Sequence, residues 1–196
     1  MNETKFNPRA VILISVILLV SIIRVAATFS DNFKDIANFS GIGAIALFGG
    51  AYFKSSLKAF GLPLVILLLS DLFIANTSGY GFFYDGWYWT YIAFILMTLV
   101  GRFMLKKVTV QSVALSTIAM ILIHWIISDI SAMYVPGLYP PTLSGYWTCL
   151  VTAIPYELKF VYGSVIYGVL MFGGFELAKM KFPALNFDGS TKIQYS

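Results

Sequence analysis

The sequence predicts an all-α polytopic membrane protein, a six-helix bundle with a short re-entrant or interfacial helix before the last crossing. Three observations lead there. Of the 196 residues, 59% are hydrophobic and only 11% charged, where soluble domains carry roughly 45–50% and about 25%. The mean hydropathy is +0.82, and polar residues are confined to short stretches between long apolar runs. Basic residues also alternate from one gap to the next. The length suits a single transmembrane domain, 1–196, rather than two.

The first apolar run, AVILISVILLVSIIRVAATFS, follows Lys5 and Arg9. It is longer than the about 7–15 residues of a signal-peptide core and long enough to span. Arg24 stands just before the cleavage-like VAA, where a signal peptidase site does not welcome it. An uncleaved helix over about 10–29 is expected.

The segment NFSGIGAIALFGGAYF sets glycines and alanines between bulky residues. In a soluble helix each interior glycine costs about 0.5–1 kcal/mol relative to alanine. In a bilayer the same residues let helix backbones approach closely. A second crossing is expected over about 40–53, with Gly43, Ala46 and Gly50 as a small stripe at i, i+3 and i+7.

AFGLPLVILLLSDLFIA gives a third helix, about 59–75, with Pro63 near its start, where proline is tolerated. NTSGYGFFYDG is a turn-rich loop. WYWTYIAFILMTLVGRFML and VQSVALSTIAMILIHWIISDIS give crossings over about 87–105 and 109–131. After the loop AMYVPGLYPP, the segment TLSGYWTCLVTAI has 13 residues before Pro155. That is too short to cross a core of about 30 Å as a helix, so a re-entrant or interfacial piece is expected over about 142–154. LKFVYGSVIYGVLMFGGFELA supplies the last crossing, about 158–178.

Charge sets the orientation. Lys5, Arg9, Lys54, Lys58, Arg102, Lys106, Lys107, Lys179, Lys181 and Lys192, ten of the 13 basic residues, fall on one side of this scheme. The opposite gaps hold Asp31, Asp35 and Asp85, with Asp71 and Asp129 nearby and Lys34 as the clear cation. The positive-inside rule then places both termini in the cytoplasm.

Several function classes are excluded or disfavoured. The net charge of +4 is dispersed, with no continuous basic face for nucleic acid. The single cysteine, Cys149, rules out an internal disulfide and any CxxC site. HExxH, GxSxG, Walker-type and strand-linked GxGxxG patterns are absent, and the acids are scattered. No enzyme, metal or cofactor is expected. NFS and NTS match the glycosylation pattern, which matters only in a eukaryotic secretory route.

The candidate site residues are polar groups set in apolar runs. Arg24 and Asp71 lie within a few residues of the outer ends of helices one and three. Intramembrane ions usually face the bundle interior and pair, so the two form a structural pair, snorkel to the interface, or border a ligand cavity. His124, the sole histidine, is either bonded to a backbone carbonyl or serves as a proton relay or ligand contact. The aromatic cluster YGFFYDGWYWTY fits an interfacial belt or a ligand platform. Tyr146 and Trp147 fall on the short segment, where aromatics would cap a cavity whose polar wall is Arg24, Asp71 and His124.

Arg24, NFSGIGAIALFGGAYF, PLVILLLSDL and YPPTLSGYWTCLVTAIP together resemble a family of uncharacterised bacterial transport-type membrane proteins. These in turn are similar to the substrate-binding S components of energy-coupling factor vitamin transporters. The resemblance runs over nearly the whole chain, and ALFGGAY and LLSDL are its most specific parts. It implies a bundle in the bacterial inner membrane with an outward-facing pocket near Arg24, Asn38, Asp71, Tyr146 and Trp147. The partners implied are a small-molecule solute, membrane lipid and a coupling membrane subunit with ATPases. The small-residue docking pattern of S components belongs on helix one; here Ser15 to Thr28 lacks it and the stripe lies on helix two. The expected function is transport of a vitamin-like solute as an S-component-like subunit. The alternative is a structural or assembly subunit of a larger membrane complex, with Gly43, Ala46 and Gly50 as its contact face.

Overall fold

A computed structural model describes residues 7–28, 41–78 and 85–186. The secondary structure there is helical throughout. Helix α1 is Pro8–Thr28, α2 Ile42–Tyr52, α3 Ser56–Ser78 and α4 Trp87–Met104. Helix α5, Val110–Ile123, continues through a π turn, His124–Ser128, into a 3-10 turn, Asp129–Tyr134. Helix α6, Leu143–Gly168, continues through a second π turn, Val169–Gly173, into Gly174–Lys181. The described chain closes on a 3-10 turn, Pro183–Asn186. Among the described residues, three helices are long and apolar enough to cross a membrane, within Ser56–Phe73, Val110–Tyr134 and Leu143–Lys181.

The starts of α5 and α6 are written locally. The Thr109 hydroxyl accepts from the Ser112 N–H while Ser112 Oγ accepts from the Thr109 N–H, a reciprocal cap. The Thr142 hydroxyl accepts from the Gly145 N–H at 3.1 Å in the same manner.

The expectation of a separate helix over 142–154 is corrected. Those residues and the expected last crossing form one helical run of 39 residues, Leu143–Lys181, about 58 Å long at 1.5 Å per residue. Pro155 stands inside it. A helix-interior proline costs about 3 kcal/mol because it lacks an N–H and crowds the carbonyl four residues back. The helix continues because Leu150, Glu157 and Phe160, on either side of the proline, are buried against the bundle. Pro63 is likewise inside its helix, the eighth residue of α3 and not part of its first turn.

Helix α2 is the hub. Ten of its 11 residues are buried, and α3, α4, α5 and α6 all pack on it. Its small residues make this possible. A Cβ on Gly50 would lie 2.2 Å from the Thr98 carbonyl oxygen, and one on Gly101 would lie 2.4 Å from the Leu47 carbonyl oxygen. The backbones of α2 and α4 therefore touch, a closeness that side chains forbid. The length of α2, about 16 Å, is half the about 30 Å of a hydrocarbon core. At its far end, Phe48 and Tyr52 meet Phe172 and Phe175 edge to face or tilted, with centroids 4.6–5.8 Å apart.

The basic residues gather at that same end. Arg9 donates to the carbonyls of Leu185, Asn186 and Tyr52, and its guanidinium lies 6.0 Å from the centroid of the Tyr52 ring. Arg102 donates to the Lys54 carbonyl at 2.9 Å. Glu176 accepts from the Tyr52 hydroxyl and from Lys179. One end of the bundle thus holds the starts and ends of several helices by polar contacts.

Candidate functional site

The seam between α5 and α6 holds the most unusual chemistry among the described residues. His124 opens the π turn of α5, and its Nδ1 lies 2.7 Å from Glu157 Oε2 on α6. The two side chains are 21% and 10% exposed, so an ion pair or charge-assisted hydrogen bond sits among apolar helices. The imidazole stacks on the Phe160 ring, with centroids 3.8 Å apart and planes 11° from parallel. From α4, the Phe94 ring meets it edge-on at 6.3 Å.

Glycine makes room for this arrangement. A Cβ on Gly43 would lie 2.6 Å from Phe160 Cζ and 3.0 Å from Met120 Sδ. The ring that supports His124 rests where α2 has no side chain. Gly43, Ala46 and Gly50 are all buried inside the bundle: Gly43 meets α5 and α6, and Gly50 meets α4.

Helix α6 holds the π turn of α5 by three side-chain bonds. The Tyr146 hydroxyl donates to the Ile126 carbonyl. Trp125 Nε1 donates to the Leu150 carbonyl at 3.0 Å, and the Cys149 thiol lies 3.6 Å from the Asp129 carbonyl oxygen. On the α4 side, Thr90 Oγ1 and Ser128 Oγ are 3.3 Å apart. A π turn departs from the i−4 ladder and is often found at functional sites; here the Tyr146 hydroxyl takes up its Ile126 carbonyl, and the Cys149 thiol faces the Asp129 carbonyl just beyond it.

Several polar atoms of this seam make no hydrogen bond among the described residues. Glu157 Oε1, Asp129 Oδ2, Ser116 Oγ and Ser164 Oγ are all buried in that condition. Ser70 and Thr98, by contrast, bond the carbonyls four residues back in the usual way. Ser164 lies seven residues beyond Glu157, and Ser116 eight before His124, each about two turns along the same helix face.

The expected site residues divide. His124 and Tyr146 come together on the seam, and the partner of His124 is a carboxylate where a backbone carbonyl was one expectation. Trp147, 66% exposed, points away from the bundle. Asp71 accepts from the Tyr91 hydroxyl at 2.9 Å, so it faces α4. Of Arg24 only the backbone, in the last turns of α1, is described. Asn38 lies outside the described residues.

Glu157 was missed because it follows Pro155 and read as part of a connection. A signal was present: Gly145, Cys149, Glu157, Phe160, Ser164, Tyr167 and Met171 succeed one another at helical spacings, and all are buried. An acid inside that stripe must face the interior. Among the described residues, no three His, Cys, Asp or Glu side chains are arranged to hold a metal ion.

Fold and site together define, among the described residues, an all-helical bundle with three helices able to cross a membrane and a part-buried histidine–carboxylate pair between two of them. Residues 4–185 match a family of unknown function (DUF6580), and the chain belongs to that family. No curated protein and no solved structure matches the chain.

Proposed function

We propose that this is a multi-pass protein of a bacterial inner membrane that binds a small solute for transport, as an S-component-like subunit. The observation that supports it most is the His124–Glu157 pair, part-buried between apolar helices. Ionisable groups held at membrane depth are costly and mark substrate or ion pathways by default. The pair also has the makings of a small-molecule site, with a polar anchor beside the Phe160 and Phe94 rings.

The polar contacts at one end of the bundle support the orientation. Arg9, Lys54, Arg102 and Lys179 all take part in them. Such clustering is what the positive-inside rule expects of a cytoplasmic face carrying both termini. The enclosed positions of Gly43, Ala46 and Gly50 speak for close packing within the bundle over a contact face for a larger complex. A vitamin-like solute and a coupling subunit with ATPases remain parts of the proposal that rest on the resemblance alone.

Native mass spectrometry of gently purified full-length protein tests this reading. A small molecule should co-purify with the wild type and be lost or reduced in Glu157→Gln. Identical spectra for the two, whether both loaded or both empty, would overturn it.

A further inference from the structure

We propose that the α5–α6 seam is an exchangeable proton site, with Asp129 carrying the proton beside the His124–Glu157 pair. Charge bookkeeping motivates it. Two carboxylates, Asp129 and Glu157, and one imidazole share the seam, and Asp129 is within electrostatic reach of both other groups. Even with His124 fully charged, the trio is one positive charge short of neutral. In a low-dielectric interior, carboxylates that share a site do not both stay ionised without compensation.

Among the described residues, the neighbouring elements do not supply the missing charge. The sequence of α5, Val110–Ile123, has no charged residue. The only cation of α4 is Arg102, bonded to Lys54 at the basic end. On α6, Lys159 is two positions from Glu157, about 200° round the helix and so on another face. The remaining titratable neighbours are phenols and a thiol. Tyr146 and Cys149 point to backbone carbonyls of the turn, and the Tyr88 and Tyr134 rings meet each other.

Geometry then favours a proton as the occupant. Glu157, nine-tenths buried, keeps Oε1 without a hydrogen-bond partner, and Asp129 Oδ2 is buried in the same state. A proton on Asp129 cancels the surplus negative charge and turns one of its oxygens from an acceptor into a donor. Among the described residues, no three His, Cys, Asp or Glu side chains are placed to hold a metal ion. Asp129, half-buried, begins the turn that ends α5, which places it nearer to solvent than Glu157. A hydronium ion gives up a proton, one of its O–H bonds breaking as the carboxylic O–H bond forms and water being left, and on release the proton returns to water in the reverse step. In a transport protein this proton is the coupling ion, a clause that rests on the reading under Proposed function.

Infrared spectroscopy of the full-length protein in detergent tests the proposal. At about pH 5 the wild type should show a protonated-carboxyl carbonyl band that shifts in D2O and titrates away as pH rises towards about 8. Asp129→Asn should abolish the band and Asp129→Glu should retain it. If Asp129→Asn fails to fold, the wild-type titration decides alone: no protonated-carboxyl band that titrates between about pH 5 and about pH 8 overturns the site. A thermal stabilisation by NaCl that choline chloride does not reproduce at equal ionic strength would also overturn it, in favour of a sodium ion. A titrating band in protein that co-purifies no solute would support the proton site and remove the transport reading. A bound solute without the band would do the reverse.

Discussion

Glu157 Oε2 lies 2.7 Å from His124 Nδ1, so a carboxylate just past a proline in α6 closes on the first residue of the π turn in α5. The pair ties the two longest helical runs together at a point where apolar side chains would pack more cheaply. Its presence in so apolar a chain is what the proposed role in binding rests on.

Breaking the pair should cost more than deleting it. His124→Ala or Glu157→Ala leaves an uncompensated partner in the interior, worth about 3–5 kcal/mol. The double variant should lose clearly less than the sum of the two. Thermal unfolding in one detergent at a fixed scan rate reads this, since unfolding of such proteins is often irreversible. Additive losses would mean that the two groups do not interact.

Gly43→Ala should disturb the site without touching its polar atoms. The new Cβ would meet the Phe160 ring at 2.6 Å, and that ring supports His124. Overpacking of this kind costs about 1–3 kcal/mol. Gly50→Ala, aimed at backbone atoms at 2.2 Å, should be worse and lower the yield of folded protein. Gly61→Ala, with nothing nearer than the end of the Leu57 side chain at 4.0 Å, is the control and should behave as wild type. Size-exclusion profiles and melting temperatures of the three variants separate these outcomes; a wild-type profile for Gly50→Ala would contradict the close α2–α4 contact.

The adjacent residues Tyr146 and Trp147 should respond in opposite ways. Tyr146→Phe removes a bond to the Ile126 carbonyl and should destabilise by about 0.5–1.5 kcal/mol. Trp147→Ala changes an outward-facing side chain and should stay within about 0.5 kcal/mol of wild type. Melting temperatures in detergent compare the two directly. A larger loss for Trp147→Ala would show that it packs against something the isolated chain does not contain.

Single cysteines introduced in a Cys149→Ala background should report the orientation proposed above. Labels at Lys54 and Lys106 should require permeabilised cells, whereas a label at Asp85 should not. Modification of Lys106→Cys from outside intact cells would reverse or remove the proposed topology.

Much of the fold was determined by the sequence alone. Long apolar runs must bury or cross, and internal hydrogen bonding then makes them helical, so the helical class follows from composition and spacing. The caps at Thr109 and Thr142 are likewise local, since hydroxyl and N–H stand three residues apart along the chain. Tertiary structure alone decided the rest. Whether Pro155 ends a helix or rides inside one depends on what its neighbours pack against, and burial of Leu150, Glu157 and Phe160 decided for continuation. The same packing turned Glu157 inward to His124 and Trp147 outward, a choice between helix faces that residue type does not make. The glycines of α2 announced a close approach; only the assembled bundle showed that α4 and the Phe160 ring are what approach, because contact across 48 to 117 positions of chain leaves no trace in local sequence pattern.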